Sequence, residues 1–220
     1  MMMEFEFARL NMLKQQIMPF CLVSKPIAEL IGVAKREQFV DAKFKQLAYA
    51  DVEIPLPNNC KMFTPKMEAF ILQHLQLNNK CKVLEIGSGS GYFTYLLACL
   101  AKFVYSFEID ENNNKLAVNN VVNQGANNIS IVNKDGFENA TNYAPFERIV
   151  VGGAVHSDLA FTVLRQQLSI NGILIGFVGC ELQQLVKIIR IDENNFKTEH
   201  LLETQVEFLY CEDSKPDFIF

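Results

Sequence analysis

The residues most able to do chemistry lie in Lys82-Val83-Leu84-Glu85-Ile86-Gly87-Ser88-Gly89-Ser90-Gly91-Tyr92. The stretch reads as an apolar strand, a glycine-dense turn and the start of a helix. In open α/β sheets ligands bind beyond the carboxyl ends of the strands, where such a turn lies. Glycines there let the backbone approach a ligand and adopt positive φ. The spacing is not the dinucleotide pattern Gly-x-Gly-x-x-Gly, because the third glycine comes one residue early and position 92 is Tyr. An anion at Glu85 would also repel a pyrophosphate.

Two more acidic residues follow at intervals that suit a nucleoside. Glu108 ends the run Val104-Tyr105-Ser106-Phe107-Glu108, about 20 residues beyond the loop, where a carboxylate accepts from both ribose hydroxyls. Taken alone, an acid after a strand is usually a solvated one. Asp135-Gly136-Phe137 follows the next apolar run: Asp135 could accept from an adenine amino group and Phe137 pack on the ring, or the three could form a plain Asp-Gly turn. A ligand with a nucleoside, no phosphate and cationic groups beside Glu85 is S-adenosylmethionine (SAM), whose amino group and sulfonium are both positive. The cofactor set read here is Glu85, Gly87, Ser88, Gly89, Gly91, Tyr92, Glu108, Asp135, Gly136 and Phe137.

The elements that position these residues show in the apolar pattern. Strands are expected at 82–86, 103–107, 129–132 and 148–151, with helices at 92–101, 112–122 and 159–168. This alternation calls for a parallel sheet covered on both faces. After Asn171-Gly172, runs at 173–178, 185–191 and near 200–210 are joined by connections too short for crossover helices, so they pair antiparallel. The expected fold is α/β: a doubly wound, mostly parallel seven-stranded Rossmann-like sheet with an antiparallel C-terminal hairpin and an N-terminal helical segment. That segment spans 1–80 and the SAM-binding core 81–220. In the segment, Phe7, Leu10, Leu13 and Ile17 recur at helical spacing until Pro19, Ser24 caps a second helix with Ile27, Leu30 and Ile31 on one face, and a third runs from Pro65 to Leu75 with Met67, Phe70, Ile71 and Leu75 inward.

Composition removes several function classes. The 220 residues suit one sizeable domain, half of them are hydrophobic, and the net charge is −5. That balance disfavours a general nucleic-acid binder, which needs a cationic surface. No long uninterrupted apolar window suggests a membrane span, and Met1-Met2-Met3-Glu4-Phe5-Glu6 lacks the features of a secretory signal. Cys21, Cys60, Cys81, Cys99, Cys180 and Cys211 are scattered, with no Cys-x-x-Cys pair and no His at ligand spacing. No metal site is expected, and reduced thiols in the cytoplasm are the simple reading. Oligomeric state is not encoded in any motif.

These residues resemble the class I SAM-dependent methyltransferases and, more narrowly, the protein-L-isoaspartate O-methyltransferase family. The likeness starts at Lys35-Arg36-Glu37-Gln38-Phe39-Val40-Asp41, continues through Ala48-Tyr49-Ala50-Asp51 and Ile54-Pro55-Leu56, and takes in the glycine loop. The loop is common to many methyltransferases, whereas the Arg-Glu-x-Phe-Val-Asp stretch is narrower. The resemblance implies methyl-esterification of the misplaced α-carboxylate of isoaspartyl residues in damaged proteins. The ester then cyclises to a succinimide, which can reopen as normal aspartate.

One segment departs from the family pattern. Where the family carries Gly-Gln-Thr-Ile-Ser-x-Pro, this chain reads Asn59-Cys60-Lys61-Met62-Phe63-Thr64-Pro65. Phe63 stands at the position of a serine that lies beside the reacting groups. Thr64, one residue later, is the catalytic candidate by substitution, and equally a helix N-cap before Pro65. Asn59, Lys61 and Phe63 are candidate substrate contacts, with Asn58 beside them. Glu147 replaces a common Asp, Gly152-Gly153 match the family's fourth-strand region, and 204–209 corresponds to a substrate-edge strand. The departure keeps two other readings open: SAM chemistry on a different acceptor, and a noncatalytic SAM-binding protein.

Overall fold

The computed structural model describes residues 2–209. It opens with α1 (Met2–Asn11), a π-helical turn (Met12–Ile17), α2 (Met18–Phe20) and α3 (Lys25–Val33). A two-stranded hairpin, β1 (Ile54–Pro55) and β2 (Lys61–Met62), leads into α4 (Pro65–Leu75). The core follows as β3 (Lys82–Ile86), α5 (Tyr92–Leu100), β4 (Phe103–Phe107), α6 (Glu111–Asn123), β5 (Ile129–Val132) and α7 (Gly136–Asn139). It ends with β6 (Phe146–Val155), α8 (Phe161–Gln166), β7 (Leu168–Val178), β8 (Gln183–Arg190) and β9 (Phe196–Thr204).

The strand order of the large sheet is β5-β4-β3-β6-β7-β8-β9. Neighbours from β5 to β7 are parallel, and β8 and β9 add antiparallel. The chain winds outward from β3 through β4 to β5, then returns to place β6 on the other side of β3. A crevice opens at such a reversal, beyond the carboxyl ends of the strands. Side chains alternate between two cores, as a pleated strand buried on both faces requires. Val83, Val104 and Val150 pack with Ile17, Ile31, Leu72 and Leu75 of the N-terminal helices. Leu84, Phe107, Ile149 and Val151 pack with Phe161 and Leu174 on the opposite face.

Four boundaries differ from the sequence reading. The first helix does not stop before Pro19: the π-helical turn, with Met18 N–H donating to the Leu13 carbonyl, widens the backbone just ahead of a residue that has no N–H. The extra residue in that turn rotates the helix face by about 100°, so Leu13 and Ile17 are buried while Phe7 and Leu10, before the turn, are exposed. The helix expected at 159–168 shortens to α8, because Leu168 already begins β7. The strand expected at 148–151 extends over Phe146–Val155.

The last strand lies at Phe196–Thr204 rather than near 200–210; Tyr210 and Cys211 are outside the described residues. The cause is a tight turn, in which Asp192 Oδ1 accepts from the N–H groups of Asn194 and Asn195 at 3.0 Å each. Pairing therefore begins at once, with Arg190 opposite Phe196. Past β9 the chain turns back, and Glu207–Leu209 runs beside Ala154 of β6, where Ala154 N–H donates to the Glu207 carbonyl and Leu209 N–H to the Ala154 carbonyl, both at 2.9 Å.

Candidate active site

A cleft of about 410 Å³ opens at the carboxyl ends of β3, β4 and β6, between the β1–β2 hairpin and the segment 207–209. Its floor is the glycine loop. Gly87, Gly89 and Gly91 hold φ values of 91°, 52° and 80°, the left-handed region where a side chain is strained. Gly87 N–H donates to the Phe107 carbonyl at 2.7 Å, which fixes the loop to β4. Across from it, a Cβ on Gly152 would stand 2.8 Å from the Gly87 carbonyl oxygen and 2.9 Å from that of Ile86. The backbones of β6 and the loop therefore approach closely here, with the Leu209 side chain packed over Gly87 and Gly153.

All three strand-end acids line the cleft, with Ser88, Gly136 and Phe137 between them. Glu85 is 1% exposed. Its Oε2 accepts from Thr94 Oγ1 and Ser106 Oγ, both at 2.5 Å, and Ser88 Oγ lies 2.5 Å from Ser106 Oγ. Burial pushes its carboxyl up to about 7, the two hydroxyls pull it down, and the Glu108 charge adds to the rise. Glu108 accepts from Gly89 N–H at 2.9 Å on one oxygen and Asp110 N–H at 3.0 Å on the other. Burial raises this carboxyl too, against those two amides. Asp135 caps α7, accepting from Phe137 N–H at 2.8 Å on Oδ1. Each carboxylate is thus oriented by groups that leave it lone pairs to spare.

The remaining two predicted cofactor residues stand behind the wall. Gly91 is the N-cap of α5 and meets α6, where an added Cβ would be 2.9 Å from the Ala117 carbonyl. Tyr92 is buried, with the Arg36 guanidinium 4.9 Å from its ring centre and Phe39 packed edge-on. Both support the loop from outside the cleft.

The other end of the cleft is made by the segment that departs from the family pattern. Phe63 and Lys61 line it. The Phe63 ring packs on Phe177 and Phe93, with centroids at 5.4 and 6.2 Å. Thr64 is the N-cap of α4, its Oγ1 accepting from Met67 N–H at 3.3 Å, and it is not among the residues forming the wall. Asn59 is exposed, has φ of 59° and also stands outside the wall, whereas Asn58 lines it and hydrogen-bonds Asp110. Lys61 pairs with Glu53 at 3.3 Å and with Glu207.

Several contributors were not among the candidate site residues read from the sequence. Arg36 is fully buried; it ion-pairs with Glu68 and donates from Nη2 to the Phe63 carbonyl at 2.6 Å, tying the acceptor segment to α4. Burial pushes the Glu68 carboxyl up, and Arg36 opposes it. Glu68 shares the inward face of α4 with Ile71, Leu72 and Leu75, a face one position round from the expected Met67 and Phe70, which are only partly buried, and nothing local indicated Arg36 as its partner. Glu207 and Phe208 reach the cleft only because the chain folds back along Ala154. Among the described residues no group of three His, Cys, Asp or Glu side chains is arranged to hold a metal ion, and no helix is long and apolar enough to cross a membrane.

Comparison with known proteins agrees with this architecture. A relative from Thermosipho melanesiensis named protein-L-isoaspartate O-methyltransferase is 35% identical over 186 residues, covering 83% of this chain and 93% of its own. One of the same name from Protochlamydia amoebophila is 33% identical over 198 residues, covering 88% and 92%. In fold the chain is similar to a Plasmodium falciparum protein assigned to the same activity and solved with S-adenosyl-L-homocysteine, with a TM-score of 0.80 over 94% of this chain and 98% of that one at 18% identity. The model of the family described as protein-L-isoaspartate(D-aspartate) O-methyltransferase matches residues 9–214. With nearly the whole chain matched by that model, this protein belongs to the protein-L-isoaspartate(D-aspartate) O-methyltransferase family.

Proposed function

We propose that this protein is a SAM-dependent carboxyl methyltransferase that esterifies isoaspartyl residues in damaged proteins and so starts their repair. The observation that carries the reading is the placement of Glu85, Glu108 and Asp135 at three adjacent strand ends on one cleft, above a glycine loop whose spacing is not the dinucleotide pattern. The site fits the cofactor chemically: a buried carboxylate for a cationic end, a second for vicinal hydroxyls, and a third beside an aromatic ring for an amino-purine. Glu108 would accept from the ribose hydroxyls, Asp135 from the adenine amino group, and Phe137 would cover the base. Glu85 would face the cationic end, with Thr94 and Ser106 holding it in place.

Bound SAM offers an electrophilic methyl on a sulfonium, and its transfer to a carboxylate oxygen leaves S-adenosylhomocysteine and a neutral ester with no proton moved. A carboxylate acceptor is already ionised at neutral pH, so the chain has no need of a strong base. Its task is alignment and exclusion of water. The backbone wall at Gly87 and Gly152 keeps the crevice narrow, and Phe63 with Phe93 makes its acceptor side apolar. Thr64 serves as the N-cap of α4, outside the cleft wall. Free thiols at Cys21, Cys60, Cys81, Cys99 and Cys180 support a reducing, cytoplasmic setting.

Phe63 in place of a serine favours one competing reading, the same methyl donor with another acceptor. A repair assay separates the two. An isoaspartyl peptide incubated with the protein and SAM should convert, through a succinimide, to the normal aspartyl peptide resolved by chromatography. Conversion no faster than in a SAM-free control would refute the repair reading and leave the other acceptor standing.

A further inference from the structure

The charge around the cleft poses a problem for the acceptor proposed above, on which this inference rests. An isoaspartyl α-carboxylate must enter a space walled by Glu108, Asp110, Asp135 and Glu207, besides Glu68, already paired with Arg36, and Glu85, pushed up to about 7 by burial. Like charges brought together in an interface are costly unless a cation stands between them. Among the described residues of the wall, the cations are Lys61 and Lys134. Lys134 adjoins Asp135 at the nucleoside end, which leaves Lys61 for the acceptor. Lys61 is already engaged by Glu53, from the residue just before its own hairpin, and by Glu207, from the segment across the mouth.

We propose that Lys61 is the countercharge for the incoming α-carboxylate and that Glu207 is its exchangeable partner, an internal anion that occupies the acceptor's place until substrate displaces it. The two carboxylates on Lys61 are not equivalent. Glu207 lines the cleft and Glu53 does not. The Glu207 side chain is 46% exposed and that of Glu53 29%. An exposed pair of this kind is weak and exchanges readily. The Glu207 backbone is held, since its carbonyl accepts from Ala154 N–H at 2.9 Å. Only its side chain has to swing out, and no strand has to move. Replacing one carboxylate by another on the same ammonium leaves the charge of the cluster unchanged. The exchange also selects for an anion, because a neutral carboxamide at the same position would have to break the pair without replacing it.

The test is steady-state methylation of an isoaspartyl peptide by the full-length protein and its variants, with S-adenosylhomocysteine affinity measured in parallel. Lys61→Met should raise the peptide KM roughly tenfold, as loss of a charge-assisted contact does, with kcat and S-adenosylhomocysteine affinity unchanged. Lys61→Arg should restore most of it. Glu207→Gln should lower KM about threefold, the effect of releasing an exposed pair, and a gain of this sign cannot come from misfolding. KM within twofold of wild type in both Lys61→Met and Glu207→Gln overturns the proposal. So does a KM that rises in Glu207→Gln as it does in Lys61→Met, which would make the pair a structural clasp. Wild-type protein with no turnover on this peptide overturns the isoaspartyl reading itself, and this inference with it.

Discussion

The two ends of the cleft are built by different rules. At the cofactor end, the three acids sit at the ends of neighbouring parallel strands, and their orientation comes from the adjoining strand, the glycine loop and the helix starts that follow. At the acceptor end, a hairpin of two short strands, the lead into α4 and a returning C-terminal segment meet through side chains far apart in sequence. The first end is continuous with the sheet, and the second is assembled from separate segments. Phe63, Lys61 and Glu207 all belong to this second end.

The comparison can be broken most sharply at Glu108. Glu108→Ala should weaken S-adenosylhomocysteine binding about a hundredfold, roughly 3 kcal/mol for two lost bonds to a charged acceptor, with some loss of melting temperature because the Gly89 and Asp110 N–H groups lose their acceptor. Calorimetric titration checks this, and a loss under fivefold would remove Glu108 from the ribose site. Next in size is Gly152→Ala. Its Cβ would meet two backbone oxygens inside 3 Å, so overpacking should cost about 2–3 kcal/mol, read by denaturant unfolding and accompanied by weaker cofactor binding. Unchanged stability would mean that β6 yields and the backbone wall is not rigid.

Glu85 sharpens the contrast through pH. Its carboxyl sits at about 7 in the ligand-free fold against an ordinary 4.5. The native state therefore holds a proton between those values that the unfolded chain has released. Stability from this group is fully present below pH 4.5 and is lost as pH rises to 7, by on the order of 1–3 kcal/mol. A cationic ligand favours the ionised form, so SAM affinity should rise over the same window. Glu85→Gln should flatten both slopes, and slopes that survive the substitution would assign them to another group such as Glu68. The smallest effect belongs to Thr64. Thr64→Ala should cost about 1 kcal/mol of stability, the worth of a helix cap, with the peptide KM within twofold of wild type. A larger KM change would place the Thr64 hydroxyl against the acceptor.

How much of this was legible follows the same division. The glycine loop, Glu108 and Asp135 were readable because each follows a short apolar run, and strand ends on one sheet edge converge by topology. The α4 cap was readable from Thr64-Pro65, although the same residues equally suggested a catalytic hydroxyl. The exposure of Phe7 and Leu10 was not, because the π-helical turn that rotates the helix face leaves no mark in the spacing. Nor was the link from Arg36 to Glu68 and Phe63, or from Lys61 to Glu207, since neither is implied by any local period. Those contacts exist only once the hairpin, α4 and the C-terminal return are packed together, which is why the acceptor end was the less readable half.

The central claim is that a cleft with an intact cofactor end and a rebuilt acceptor end still esterifies isoaspartate. Its most direct test is transfer of labelled methyl from SAM to matched peptides that differ only in isoaspartate or aspartate at one position. The account predicts base-labile label on the isoaspartyl peptide alone. No label on either peptide, with S-adenosylhomocysteine binding intact, would contradict it and show that the rebuilt end serves a different acceptor or none.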